Sequence, residues 1–163
     1  MTEGLFILRL VHVLAGLSWF GEVLTVNLVL LPALARVDPV LRARLLSAVF
    51  PYVFRLATVL GGIAVVSGAI LFLIMSGGNL GLLFSSDWGR RILSGGLIGA
   101  LLFAFHLVQE SRMEGSLATR LMATGDDPAA SEAILRHLRV IPRIGLALLL
   151  LTVALMSAAA RLA

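Results

Sequence analysis

Four long apolar runs constrain this chain more than any other feature of its sequence. They cover about residues 5–34, 47–75, 88–109 and 141–162. A helix needs about 20 mainly apolar residues to cross the ~30 Å hydrocarbon layer of a bilayer, and each run meets that length. The pattern predicts an all-α fold, in which a single transmembrane domain forms an integral membrane four-helix bundle.

Local signals set the ends of these runs. Pro32 and the polar segment 36–44 end the first run, and a Gly-Gly-Asn break at 77–79 ends the second. The longest polar segment, residues 110–139, separates the third run from the fourth. It contains an Asp-Pro pair at 127–128 that resembles a helix start, so we expect a short amphipathic interfacial helix between spans 3 and 4.

Charged residues are few, and the arginines lie mostly at the ends of the apolar runs. Only 13% of the residues are charged, and all 13 basic residues are arginine. The calculated pI of about 11.3 does not indicate a nucleic-acid partner, because arginines at span ends extend to the lipid headgroups and set topology. The chain has no cysteine, which excludes disulfides and thiolate metal sites.

The arginines are distributed unequally between the two sides of the predicted bundle. Nine belong to the side of the 35–46 and 110–140 loops: Arg36, Arg42, Arg44, Arg55, Arg112, Arg120, Arg136, Arg139 and Arg143. The other side has four: Arg9, Arg90, Arg91 and Arg161. The positive-inside rule therefore predicts that both loops are cytoplasmic and both termini are outside.

Few ionisable side chains lie inside the spans, and each is a functional candidate. They are His12 and Glu22 in the first run and His106 in the third. At ~100° per residue, Trp19 lies on the same face as His12 and Glu22 lies on its flank. The third run repeats this arrangement in a stripe of Gly95, Gly99, Leu102, His106 and Glu110. We therefore expect any site to lie between these two helices, with the second and fourth as scaffold.

The two histidines are predicted to lie at different depths. His12 is near the outer end of its helix and His106 near the inner end, which separates them by roughly 10–15 Å. One haem held by both is therefore disfavoured. Two arrangements remain: His12 as a haem ligand near the outer face with Arg90 and Arg91 at the propionates, or His106 in a hydrogen-bonded pair with Glu22. As an alternative to both arrangements, these residues have only ordinary roles at the membrane interface or in the packed core.

Several positions resemble a known family. His12 followed by Trp19-Phe20-Gly21 and Pro32 resembles the opening helix of copper-resistance-D-like membrane proteins and of HemJ-type protoporphyrinogen oxidases. The run from Trp88 to His106 and the Arg-x-Ile-Pro at 139–142 are similar to the HemJ type. The resemblance covers most of the chain, but only as scattered positions.

The resemblance implies a haem b protein of the bacterial plasma membrane that acts in redox or porphyrin chemistry. By this resemblance, His12 corresponds to the family's first-helix histidine. The metal-ligand candidates are His12 and His106, and placement in the spans adds Trp19, Glu22, Arg90 and Arg91 as cofactor-binding candidates. Two departures put porphyrinogen oxidation in doubt. The functional lysine of the HemJ type is absent, with two arginines in its region, and Glu22 stands where the family has a small or apolar residue.

Two other functions compete with haem binding. The glycine-containing faces suit an accessory subunit that docks on other membrane proteins or on a second copy of itself. Alternatively, Glu22 and the histidines could line the path of a small transporter or copper-handling protein, although there is no Met-x-x-Met cluster for copper(I). The sequence has no nucleotide loop, nucleophile elbow or zinc motif of a soluble enzyme.

Overall fold

Helices dominate the fold. The computed structural model describes residues 3–123 and 128–161, without the side chains of residues 39, 43, 47 and 112–139. The helices are α1 (Glu3–Leu34), α2 (Pro39–Met75), the one-turn α3 (Leu82–Ser85), α4 (Asp87–Ala123) and α5 (Pro128–Ala160). The described residues contain no strand, which confirms the predicted all-α class.

Four of these helices are long and apolar enough to cross a bilayer. The candidate spans are Glu3–Leu34, Val40–Met75, Asp87–Ser111 and Val140–Ala160. Large apolar side chains remain exposed along them, such as Leu28, Val29 and Leu101. In water such surfaces would be strongly unfavourable, whereas lipid tails match them. The chain is therefore a membrane-embedded helical bundle.

The second helix begins eight residues before the predicted start at 47. Asp38 precedes it with an extended backbone, and its carboxylate accepts a hydrogen bond from the Leu41 N–H at 3.0 Å. Pro39 occupies the first helical position, where the missing N–H removes no hydrogen bond. The helix therefore begins inside segment 36–44, which the sequence predicts to be a polar connection.

The segment predicted as a separate interfacial helix is helical, but it is continuous with the last span. α5 runs without a break from Pro128 to Ala160 and includes Pro142. A proline inside a helix removes one backbone hydrogen bond, and neighbouring helices in a membrane bundle can compensate for it. The side chains of residues 128–139 lie outside the described set, so their predicted amphipathic character stays a prediction.

The predicted break at 77–79 is confirmed. Gly77 and Gly78 have positive φ values of 59° and 78°, a conformation that side-chain-bearing residues rarely adopt. After this turn, the hydroxyl of Ser86 accepts from the Gly89 N–H at 2.9 Å and caps α4. Gly89 must be glycine, since a Cβ there would lie 1.8 Å from the Leu82 carbonyl oxygen.

Neighbouring helices pack in the order α1–α2–α4–α5, and α1 meets α5 along the thinnest seam. Gly61 of α2 allows the rings of Trp19 and Phe103 to meet at the centre, edge to face at 6.2 Å. Ala57 and Leu149 are buried at the same level. This central layer of five residues divides the bundle into two halves, one containing His12 and the other containing Glu22 and His106.

One spanning helix departs from α-helical geometry. In α1, residues Val26–Leu30 form a π-helical turn. Such a turn leaves a backbone carbonyl without its usual partner. Here the Asn27 side-chain amide donates to the Val23 carbonyl at 2.8 Å and to the Pro142 carbonyl of α5 at 3.0 Å. The π-helical turn is thereby linked to the proline-containing turn of α5.

Candidate functional site

His12 is held against α2 by hydrogen bonds that determine its tautomer. Its Nδ1 lies 2.9 Å from the Ala64 carbonyl oxygen and 3.3 Å from Ser67 Oγ. A carbonyl can only accept, so Nδ1 carries the hydrogen. The Ser67 hydroxyl donates to Ile63 O at 2.5 Å and can therefore accept from His12 as well. In neutral His12 the lone pair is consequently on Nε2.

Two glycines shape the space around the His12 ring, one on α2 and one on α1. A Cβ on Gly68 would lie 2.8 Å from His12 Cε1, so only glycine lets the imidazole approach α2 this closely. Gly16, one turn further along α1 and close to the same face, has no atom within 4 Å of its added Cβ. His12 is therefore fixed on one side by α2 and flanked by open space along its own helix.

His106 has a similar relation to α2 with the ring nitrogens exchanged. Its Nε2 lies 3.1 Å from the Phe54 carbonyl oxygen and 2.9 Å from Thr58 Oγ1. The Thr58 hydroxyl in turn donates to Glu110 Oε2 at 2.5 Å. Nε2 is thus the protonated nitrogen, and the lone pair of neutral His106 is on Nδ1. A chain of hydrogen bonds connects His106, Thr58 and Glu110.

The two histidines lie at different levels, as the sequence predicts. His12 bonds to Ala64 and His106 bonds to Phe54, and these α2 residues are ten positions apart. Ten helical residues correspond to ~15 Å along the axis. The central layer also lies between them, because Trp19 and Phe103 meet there. A single haem therefore cannot receive both histidines as ligands in this arrangement.

A cavity of about 140 Å³ occupies the half of the bundle below the central layer. All four spanning helices line it. Its polar lining residues are Glu22, His106 and Gln109, and its aromatic ones are Trp19, Phe50, Phe54 and Phe105. An apolar cavity of ~150 Å³ accommodates benzene, and a porphyrin is several times larger. The cavity is therefore several times smaller than a haem and suits a few waters or a small organic molecule.

Glu22 and His106 line the same cavity but do not form the hydrogen-bonded pair that the sequence left open. The hydrogen bonds of His106 go to α2 instead. Glu22 Oε2 is buried without a hydrogen-bond partner among the described residues. His106 bonds instead to the Phe54 carbonyl and the Thr58 hydroxyl of α2. The expectation that α2 is only scaffold is therefore wrong.

The two arginines proposed for haem propionates are engaged elsewhere. Arg90 forms an ion pair with Asp87 and donates to the Phe84 carbonyl at 3.1 Å. Arg91 donates to the Ala158 carbonyl at 3.0 Å, which satisfies a group in the last turn of α5. Both therefore stabilise the ends of α3, α4 and α5. Their hydrogen bonds do not place them beside His12 on α1.

Sequence reasoning missed the hydroxyl partners of the histidines. Thr58 and Ser67 stand in an apolar run where serine and threonine commonly bond to their own helix, so they give little signal. No group of three or more His, Asp or Glu side chains among the described residues could hold a metal ion. At the depth of each histidine, the described residues therefore offer a metal ion one imidazole ligand.

Comparisons with known proteins add no further constraint. No protein-family model matches the chain, and searches of curated proteins and of solved structures gave no match. The site geometry is therefore the basis for inferring the function.

Proposed function

We propose that this membrane protein binds haem b, with His12 as an axial ligand. The observation that carries the proposal is the bond from His12 Nδ1–H to the Ala64 carbonyl at 2.9 Å. Histidines that ligate metals usually donate their other ring N–H to a carbonyl or carboxylate, which orients the ring and increases the basicity of the ligating nitrogen. His12 Nε2 has the lone pair that such a ligand needs.

The number of available ligands favours haem over a bare metal ion. Copper or zinc sites draw three or four protein ligands, whereas a haem brings four nitrogens of its own and needs one or two from the protein. His12 alone can meet that requirement. The resemblance of the first helix to haem-binding membrane proteins points the same way.

Uncovered surface on α1 supports His12 as the ligand. A Cβ added at Gly16, one turn along α1, meets no atom within 4 Å, so that part of α1 is not covered by another helix. The 140 Å³ cavity beside His106 is several times smaller than a haem. When bound, the haem would supply one-electron redox chemistry. His12 would hold the iron, and Ala64 and Ser67 would orient the His12 ring.

The decisive experiment is the absorption spectrum of protein purified in detergent from haem-replete cells, oxidised and reduced. We expect a Soret band that His12→Ala abolishes and His106→Ala retains. The His106 variant is the matched control, since it removes an imidazole that also bonds to α2. A colourless wild type, or equal loss of the band in both variants, would contradict the proposal. Colourless protein that co-purifies with other membrane proteins would instead support an accessory subunit.

A second candidate, transport of a small solute, rests on Glu22. Its Oε2 has no hydrogen-bond partner among the described residues, and Glu22 lines a cavity bordered by aromatic rings. Such surroundings suit a small organic cation or a proton with its waters. Uptake of such a cation into vesicles would decide it. Uptake that is lost in Glu22→Gln and kept in Glu110→Gln would support transport. Absence of uptake by the wild type would rule transport out.

For topology, we propose that the end of the bundle carrying Arg36 faces the cytoplasm of a bacterial plasma membrane. The support is the distribution of nine arginines against four. Because the chain has no cysteine, single cysteines can report on it. We expect an impermeant thiol reagent applied to intact cells to label Asn79→Cys and spare Arg36→Cys. The reverse pattern would invert the topology.

A further inference from the structure

A second cavity, separate from the one beside His106, lies between α1 and α5 at the end of the bundle that carries Arg36. Its volume is about 340 Å³, and it is lined by Asn27, Leu31, Pro32, Ala35, Arg36 and Arg143. The first span ends at Leu34, where α1 ends, and the apolar run within α5 begins at about residue 141 of the sequence. The cavity therefore lies where the hydrocarbon layer gives way to the headgroups. The seam between these helices is also the thinnest in the bundle.

Two arginines border this cavity without a described partner. The contrast with Arg42 is informative: its guanidinium donates to the carbonyls of Leu34 at 2.8 Å and Val37 at 2.7 Å, so it caps the end of α1. Arg36 and Arg143 make no such side-chain bond and no ion pair within the described part of the chain. Both are exposed. Their positive charges are available to an anion.

Asn27 provides a second, independent sign of a ligand. Its side chain is only 6% exposed. Both amide hydrogens are used, toward the Val23 and Pro142 carbonyls, and this orientation cannot be reversed because those partners only accept. The remaining atom, Oδ1, is buried and has no hydrogen-bond partner among the described residues. It lacks a donor, and a hydroxyl group would supply one.

From these features we infer that the cavity binds the headgroup of an anionic phospholipid whose headgroup carries a hydroxyl, such as phosphatidylglycerol. Arg36 and Arg143 bind the phosphodiester, because guanidinium groups form charge-assisted hydrogen bonds with phosphate oxygens. Asn27 Oδ1 accepts from the headgroup hydroxyl. Leu31 and Pro32 contact the apolar start of the lipid. Basic pockets between membrane helices are suited to such headgroups.

The test measures lipid binding to the full chain in detergent by native mass spectrometry. The probes are phosphatidylglycerol, phosphatidylmethanol with the same charge but no hydroxyl, and zwitterionic phosphatidylcholine. We expect affinity to fall in that order. Arg36→Gln and Arg143→Gln should each weaken phosphatidylglycerol binding by about 10-fold or more, the usual effect of losing a charge-assisted bond.

Arg55→Gln is the matched control, because Arg55 is an exposed arginine at the same end but does not line the cavity. It should leave affinity unchanged. Equal weakening by all three substitutions would reduce the effect to surface charge and overturn the proposal. Equal binding of the two anionic lipids would remove the role of Asn27 and the proposal with it. Competition by millimolar inorganic phosphate as effective as that by lipid would identify a site for a soluble anion instead.

Discussion

The two halves of the bundle, on either side of the central layer, differ in how closely their helices pack and in whether their polar groups have hydrogen-bond partners. Around His12, glycine, alanine and serine bring α1 and α2 close together, and the His12 N–H and the Ser67 hydroxyl have partners. Beyond the layer, α1 contains a π-helical turn, α5 contains Pro142, and two cavities open. Glu22 and Asn27 each have a buried side-chain oxygen with no hydrogen-bond partner among the described residues.

A small membrane bundle can in this way combine a tightly packed half with a half that contains cavities. Close packing of small residues holds one histidine in a defined orientation. Irregular helix geometry keeps the other half from closing on itself, so polar atoms there remain available to water or ligands. Equivalent substitutions in the two halves should therefore have unequal effects.

The largest difference is expected for valine at a glycine in each half. At Gly68 the new side chain would collide with the His12 ring, and overpacking of this kind costs about 1–3 kcal/mol. At Gly145, where an added Cβ has no atom within 4 Å, the same change should be close to neutral. Thermal unfolding in detergent would compare Gly68→Val with Gly145→Val. Equal losses would mean that the two halves are packed alike.

A smaller difference is expected when the hydroxyl partner of each histidine is removed. Thr58→Val would take the only described hydrogen bond from Glu110 and one from His106, for a loss of about 1–3 kcal/mol. Ser67→Ala would leave the stronger His12 bond to Ala64 in place and should cost less than ~1 kcal/mol. Denaturant midpoints of the two variants would test this order. A larger loss for the serine variant would contradict it.

The smallest effect is expected at Glu22. Since its Oε2 has no described partner, Glu22→Gln removes no hydrogen bond at that atom and should change stability by less than ~1 kcal/mol. The control, Glu110→Gln, replaces the carboxylate that accepts the Thr58 hydroxyl and should lower the melting temperature more. A marked loss of stability in the Glu22 variant would reveal a partner for this carboxylate and contradict its description as unpartnered.

The sequence predicts those parts of the fold that depend on average composition. The four spans, the glycine break and the difference in histidine depth follow from run length, turn residues and helical rise. The partners of His12 and His106 do not, because every helical residue offers a carbonyl and only packing decides which one is near. The π-helical turn also escapes prediction, since Val26–Leu30 is as apolar as the rest of its run apart from Asn27.

That π-helical turn also bears on how the chain tolerates changes in length. A π turn holds about one residue more than an α turn, so the side chains after it are rotated back by roughly 100°. Leu31 and Leu34 face the interior only because of this extra residue. Deleting lipid-exposed Leu28 should restore a regular α-helix and rotate the Asn27 side chain relative to α5. We expect the deletion variant to insert and fold, as judged by monodisperse behaviour in detergent, while losing phosphatidylglycerol selectivity.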